Sequence, residues 1–439
     1  MQAPTDRAWT MLALLVAVRT MMAFQFQSVA AIAPPMAERL SVGPAEIGVI
    51  IGLYLAPGIA IALPAGALGA RLGDARVVTA GLGLMVLGGV VLSAATAWEA
   101  ALAGRLIAGI GGVTLNLLMT KMVTDWFAGR RLATAMGLFL PSWPLGIALA
   151  LAVMPTLDGA LGTEGALWLV TALVAAALAG MALIYRDPPE QGETAREARA
   201  RSWARSWARS WPRWRARSRA NTSPNAGAAT AWPQGAMLSA TLAAALVWAL
   251  YNAALTQVFA FGPAFMTAAG LSLTTAGAIA SATLWLVALT LPLGGMLADR
   301  TGRHRQVIAA SLGAFALLLA AAPLAAGSLA AGATGSGQQA IWPVVVVFAL
   351  LGIVGGIPAG VVMSLPGEVL SRESRALGMG LFFMVFYVGT ALAPIAGGAI
   401  AAVSGDFGDS LMFGAALSLA CLPIVWWQGR LARRAGSPV

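Results

Sequence analysis

Twelve long apolar runs constrain this 439-residue chain more than any other feature. About 20 consecutive apolar residues are enough to span a bilayer as a helix. With 59% hydrophobic and 10% charged residues, the chain has too little polar surface to cover a soluble globule. We interpret the first run as a retained helix, because it lacks a convincing small-residue cleavage site and is followed by further runs. The runs cover residues 8–33, 46–69, 77–97, 100–123, 132–155, 165–185, 236–267, 275–297, 306–326, 342–366, 376–401 and 410–428.

A short basic, glycine-rich segment occurs twice, each time between two apolar runs. The first copy covers residues 66–76 and the second covers residues 295–305. Five positions are identical in the two copies, and a second pair of loops, 125–137 and 370–378, also matches in part. Such repetition predicts an internally duplicated transporter. We therefore divide the chain into an N-terminal six-helix bundle (1–185), a cytoplasmic linker (186–235) and a C-terminal six-helix bundle (236–439).

The repeated segment resembles the loop signature G-x-L-a-D-r-x-G-r-r of the major facilitator superfamily. The second copy has Asp299 in the acidic position, whereas the first has Ala70 there. The resemblance implies two pseudo-symmetric bundles, with a midplane site alternately open to each side. It assigns a gating role to the loop residues Gly66, Arg71, Gly73, Gly295, Asp299, Arg300, Gly302 and Arg303. Within the superfamily the chain is most similar to the cyanate-permease branch, on the motifs at Arg19, 54–58, 125–130 and 142–144.

The basic residues indicate how the chain is oriented. Of 27 Lys and Arg residues, only Arg39 falls in a loop that we place outside the cell. Acidic residues such as Glu38, Glu99 and Asp158 gather near the opposite face. The positive-inside rule then puts both termini in the cytoplasm. The net charge of +10 is therefore a matter of topology and does not indicate nucleic-acid binding. We expect a protein of the bacterial cytoplasmic (inner) membrane that is functional as a monomer.

Arg19 lies near the middle of the first apolar run, where a charge is expensive and normally faces a bundle interior or a water-filled cavity. It is interpreted either as an anion-binding cation at a central cavity or as a structural arginine capped by carbonyl groups. No Asp or Glu lies near the middle of any run. The deep charges are then all positive, which favours an anionic small-molecule substrate over an organic cation.

Several polar and aromatic residues share the predicted depth of Arg19. Asn252 is open to two interpretations, as part of a pocket or as a hydrogen bond between helices. Trp285, Phe383 and Tyr387 lie equally deep, and pocket lining and plain packing are both open for them. The resemblance to the superfamily implies mainly a structural or proton-linked role for Arg105. The predicted substrate-binding residues are Arg19, Gln27, Asn116, Ser142, Trp143, Tyr251 and Asn252.

The linker repeats Arg-Ser-Trp-Ala from Arg201 to Trp211. A four-residue repeat on a helix aligns its tryptophans in one stripe, which suits an interfacial helix on anionic lipid. A disordered low-complexity segment is the alternative, since Pro212 interrupts a continuous helix.

The sequence does not predict an enzyme, a cofactor or a metal site. The sole histidine, His304, lies in a loop, Cys421 is the only cysteine, and no P-loop motif is present. The leading hypothesis is a secondary active or facilitative transporter in the lipid bilayer that imports a small anion such as cyanate, nitrite or a carboxylate. The alternatives are an efflux carrier for hydrophobic or aromatic compounds and a non-transporting membrane sensor or scaffold.

Overall fold

The computed structural model describes residues 4–61, 69, 72–127, 132–188, 232–331, 341–371 and 374–435. This part of the chain is helical and has no strand. The Arg/Trp repeat of the linker lies outside the described residues. The helices are α1 Pro4–Ala31, α2 Ala33–Leu40, α3 Pro44–Leu53, α4 Gly58–Ile61, α5 Asp74–Ala94, α6 Trp98–Phe127, α7 Leu132–Phe139, α8 Ser142–Ile184, α9 Gly235–Ala268, α10 Leu273–Thr301, α11 His304–Ala331, α12 Trp342–Val369, α13 Arg375–Ser404 and α14 Gly408–Arg434.

Eleven segments of the described chain are long and apolar enough to cross a membrane. One of them, α8, has 43 residues and would be about 65 Å long if straight, roughly twice the thickness of a bilayer core. Gly162 breaks it with φ 72° and ψ 164°, a backbone conformation that a residue with a side chain rarely adopts. The two arms of α8 are therefore separate spans. The predicted fold, an all-α membrane protein with twelve spans in two six-helix bundles, is confirmed.

Two predicted spans are interrupted near mid-membrane. The second consists of α3 and α4, which are separated by a non-helical turn at residues 54–57. The fifth begins as α7, breaks at Leu140 and Pro141, and continues as the first arm of α8. Proline removes a backbone donor and crowds the preceding turn, which explains why both breaks fall next to a proline.

The turns that join the helices define two ends of the bundle. Ser41, Gly162, Gly270 and Gly405 have positive φ and lie in the turns at the end opposite to the chain termini, which we name the distal end. Gly73 and Gly302 also have positive φ, and they lie in the two copies of the repeated loop at the other end, the terminal end. Gly73 and Gly302 are thus located where the backbone conformation disfavours any other residue.

The two halves of the molecule meet in what we name the distal seam, where backbone packs on backbone. A Cβ at Gly48 or Gly52 of α3 would overlap a carbonyl oxygen of α13, and a Cβ at Gly277 of α10 would overlap the Leu151 carbonyl of α8. Glycine permits this close approach because it has no side chain. One hydrogen bond between side chain and backbone, from Gln27 Nε2 to the Phe259 carbonyl at 2.8 Å, completes the seam. Its residues are Gln27, Gly48, Gly52, Gly277 and Gly398.

Candidate functional site

The break between α7 and α8 prepares a position for a buried cation. In a continuous helix the Leu140 carbonyl would accept a hydrogen bond from residue 144, but Pro144 has no N–H. Arg19 Nη1 donates to this carbonyl at 3.3 Å and to the neighbouring Phe139 carbonyl at 3.2 Å. Each carbonyl has a second donor, the Trp143 amide at 3.4 Å for Leu140 and the Ser142 hydroxyl at 2.6 Å for Phe139.

Arg19 is fixed on two further sides. Its Nε donates to Asn116 Oδ1 of α6 at 3.0 Å, and its Cζ lies 4.6 Å from the centroid of the Phe139 ring. Residue 19 is 8% exposed. Nη2 makes no hydrogen bond to the described part of the chain and is not among its fully enclosed polar atoms. The guanidinium group is therefore held rigidly by Nε and Nη1 while Nη2 stays available.

Tyr387 brings the other half of the molecule to Arg19. It extends from α13, its side chain interacts with the Asn116 amide and the Arg19 charge, and its ring packs directly on Gly58 of α4. Sequence reasoning left open whether Tyr387 lines a pocket or is plain packing. The structure places it with Arg19 and Asn116, and these three residues form the centre of the candidate site.

Rings on α9 and α13 continue from Tyr387 as an aromatic cluster. Its members are Trp248, Phe382, Phe383, Phe386 and Tyr387. The Phe386 ring centroid lies 5.2 Å from that of Tyr387, 6.3 Å from that of Phe383 and 6.1 Å from that of Trp248. These are distances at which rings attract each other. Phe383, Phe386 and Trp248 are half-buried, so part of their ring surface is open.

Four of the other predicted binding residues each have one polar group bonded away from Arg19. Tyr251 is buried and donates to the Gly355 carbonyl of α12 at 2.6 Å. Asn252 donates to the Trp248 carbonyl of its own helix at 2.7 Å. Gln27 belongs to the distal seam, where Pro263 leaves the Phe259 carbonyl without its helical donor. Ser142 caps the Phe139 carbonyl.

Trp143 and Trp285 differ in their surroundings. The Trp143 ring stacks on Phe26 of α1 at 5.4 Å, within the N-terminal half. Trp285 is 44% exposed, which places its side chain toward the outside of the helix bundle. The structure therefore does not bring Trp285 to Arg19.

Arg105 is the other deep charge, and its contacts are entirely structural. It is fully buried, and its three nitrogens donate to the carbonyls of Ile50, Gln25 and Phe26 at 3.0, 3.2 and 2.9 Å. Its Cζ lies 4.6 Å from the Tyr54 ring centroid. Arg105 thus ties α6 to α1 and α3, and all three of its nitrogens already donate to main-chain carbonyls.

The repeated loop is only partly described. Gly73 precedes α5 with φ 91°, and Gly302 ends α10 with φ 64° and donates its N–H to the Ala298 carbonyl. Arg300 and Arg303 are exposed. A Cβ added to Gly295 would meet no atom within 4 Å. Gly66, Arg71 and the side chain of Asp299 lie outside the described residues.

Lys121 is part of an ion-pair cluster. Its Nζ contacts Asp74 Oδ2 in the first turn of α5, and Asp125 Oδ2 lies 3.8 Å away on its own helix. Asp74 directly follows Gly73. Its carboxylate therefore lies within the first copy of the repeated loop, four residues after Ala70. The lysine side chain is long enough to reach from α6 to α5. The residue pattern of α6 alone does not reveal this contact between helices.

The comparisons with known proteins agree with this architecture. No curated protein matches the chain. A bacterial homologue of the human lysosomal transporter Spinster, in an inward-facing and unoccupied conformation, has a TM-score of 0.70, with 15% identity over 98% of both chains. The nucleoside transporter NupG has a TM-score of 0.66, with 16% identity over 95% of this chain and 99% of its own.

These likenesses in structure establish the fold. Membership of a family is shown by the sequence match to a family model, which covers residues 15–271 and 237–438. Together these ranges include both bundles and both copies of the repeated loop. The chain is an integral membrane transport protein that belongs to the Major Facilitator Superfamily.

Proposed function

We propose that this protein carries a small anion across the membrane by alternating access, with Arg19 Nη2 as the anion contact. The observation that carries the proposal is the rigid guanidinium group with one N–H edge left available. Among the described residues, no carboxylate forms an ion pair with Arg19. A buried cation without a counter-ion is costly when the site is empty and is stabilised when an anion enters.

The distal seam indicates which state of an alternating-access cycle the structure represents. The distal seam closes the end opposite to the termini, and the distribution of basic residues places that end outside the cell. A state with its outer end closed is visited by importers and exporters alike, so the import direction of this proposal rests on the sequence-based hypothesis. The proposal also places both termini in the cytoplasm and the protein in the inner membrane. The carrier would function as a monomer, with its two bundles at residues 1–185 and 236–439. A place in the cyanate-permease branch remains a prediction based on sequence resemblance.

Arg19→Gln tests this assignment in proteoliposomes. We expect saturable uptake of anions to be abolished, because a neutral amide cannot replace the charge. The protein should still fold, since the Phe139 and Leu140 carbonyls each keep a second donor. Uptake of labelled anions and the thermal unfolding midpoint, Tm, are measured on the same preparation.

Arg430→Gln is the matched control for that experiment. It also removes one positive charge, but from an exposed position near the end of α14. It should transport like the wild type. Unchanged anion uptake by Arg19→Gln would show that Arg19 does not contact the anion and has a purely structural role.

A second candidate function is efflux of neutral aromatic compounds. The aromatic cluster favours it, because open ring surface also binds uncharged rings. An exporter of this kind should confer resistance to hydrophobic drugs on expression, and Arg19→Gln should not change that resistance.

A further inference from the structure

The ring surface that continues from Tyr387 narrows the chemical class of the proposed anion. Phe383 precedes Tyr387 by four residues on α13, so the two side chains share one face of the helix. Tyr387 on that face reaches Arg19 and Asn116. Phe383 therefore lies one helical turn from Tyr387 toward the terminal end, on the face that is turned to the opposite half, and it is half-buried.

The polar part of the site is small. Arg19 Nε and Nη1 are used by Asn116 and by two carbonyls, which leaves Nη2 as the edge for a ligand. The paired, two-bond recognition by which arginine normally holds a carboxylate needs two free nitrogens. At most two charge-assisted hydrogen bonds, both from Nη2, have to replace most of the hydration shell of any anion that binds here.

The apolar part of the site is comparatively large. Phe383 and Phe386 lie with their centroids 6.3 Å apart and their planes at 87°, so they present one ring face and one ring edge. Such a pair accepts a flat ring in stacked or edge-on contact. An inorganic anion gains nothing from this surface, whereas an organic anion with a ring recovers its dehydration cost by burying apolar area.

We propose that the site takes a monocarboxylate with a flat, aromatic-like body: the carboxylate binds Arg19 Nη2, and the ring binds Phe383 and Phe386. This inference rests on the proposed anion transport and restricts it to one class of anion. It ranks aromatic carboxylates above acetate, nitrite and cyanate.

Binding to the purified full-length protein tests the ranking. The probes are the sodium salts of benzoate, cyclohexanecarboxylate, acetate, nitrite and cyanate at equal ionic strength, with neutral benzamide as a further probe. The readout is the ligand-induced rise in Tm, which depends on the ratio of ligand concentration to Kd. We expect benzoate to bind at least about tenfold more tightly than acetate, nitrite or cyanate, as one additional ring contact would provide. The Kd of cyclohexanecarboxylate should lie between that of benzoate and that of acetate.

Substitution of the ring provides the structural test. Phe383→Ala should reduce the preference for benzoate over acetate by about tenfold, and Phe383→Leu should reduce it less, because it keeps apolar volume without the ring. Trp427→Leu is the matched control. It removes a ring that is 52% exposed on α14, and it should keep the wild-type ranking. Phe383→Leu also serves as the test if Phe383→Ala does not fold.

The outcomes separate this inference from the proposed function. Nitrite or cyanate binding as tightly as benzoate would overturn the inference and leave anion transport standing. Equal stabilisation by all anions in the wild type and in Arg19→Gln would overturn the proposed function. Benzamide binding as tightly as benzoate would overturn both and favour export of neutral aromatics. If Phe383→Ala kept the wild-type preference for benzoate over acetate, the Phe383 ring would not be part of the binding site.

Discussion

Two arginines lie deep in the same half of the molecule, and they differ in what their nitrogens contact. Arg105 uses all three nitrogens on carbonyls of α1 and α3. Arg19 uses two, on carbonyls freed by a helix break and on an amide, and keeps Nη2 available. In the sequence both residues appear as a single charge within an apolar run. The difference arises from the direction of main-chain carbonyls, which is set only when the helices are in place.

Arg105→Met should therefore destabilise the protein much more than Arg19→Met. Each arginine donates three hydrogen bonds from a charged group at about 1.5–3 kcal/mol each, but Arg105 is fully buried, whereas the two carbonyls that Arg19 contacts each keep a second donor. We expect a net loss of about 2 kcal/mol in the free energy of unfolding for Arg105→Met. The measurement is Tm in detergent for both variants. A larger fall for Arg19→Met than for Arg105→Met would contradict the structural assignment of Arg105.

At the scale of the elements, glycines determine how closely the halves approach each other. Gly48 and Gly52 of α3 lie directly on carbonyl groups of α13. In the sequence these glycines cannot be told from the many others, because small residues are frequent in any membrane helix. Their role follows from which helices meet across the halves.

Gly52→Val should weaken the distal seam. The added side chain would strike the Ala391 carbonyl, and backbone cannot move aside as a flexible side chain can. Gly83→Val on α5 is the matched control, because a Cβ there meets no atom within 4 Å. Both variants carry Cys421→Ser and a new cysteine in place of Ala56. Faster labelling of this cysteine by a water-soluble maleimide is expected in Gly52→Val alone. Equal labelling rates in the two variants would show that the seam tolerates the added volume.

At the scale of the whole molecule, the fold was largely predictable and the site only partly so. Hydropathy located the spans because each apolar run has to fill the bilayer thickness. The repeated loop predicted the duplication. The depth of Arg19 and Asn116 also followed from the sequence, since depth depends only on position along a span.

The partners of those residues could not be predicted in the same way. Tyr387 comes from the opposite half, 368 positions after Arg19, and only the packing of the two halves brings it to the site. Tyr251 and Asn252 lie at a suitable depth, but one faces α12 and the other bonds its own helix. Depth was readable from the sequence, and the direction of each side chain within the assembled bundle was not.

Deletion of residues 196–219 tests the whole-molecule assignment. The site and the distal seam are built from residues of the two bundles, so transport should stay within about twofold of the wild-type rate. The measurement is anion uptake per molecule of reconstituted protein. Loss of a cellular output on deletion, together with no measurable anion uptake by the wild-type protein, would instead favour the non-transporting sensor or scaffold hypothesis.

The composition of the distal seam has an electrical consequence. Its five residues are four glycines and one glutamine, and none of them can be ionised. When the seam opens, these residues move no charge across the membrane field, and the membrane potential does no work on their separation. Any voltage dependence of the transport cycle would then arise from the positions of the deep charges Arg19 and Arg105 in the field and from the charge of the bound anion.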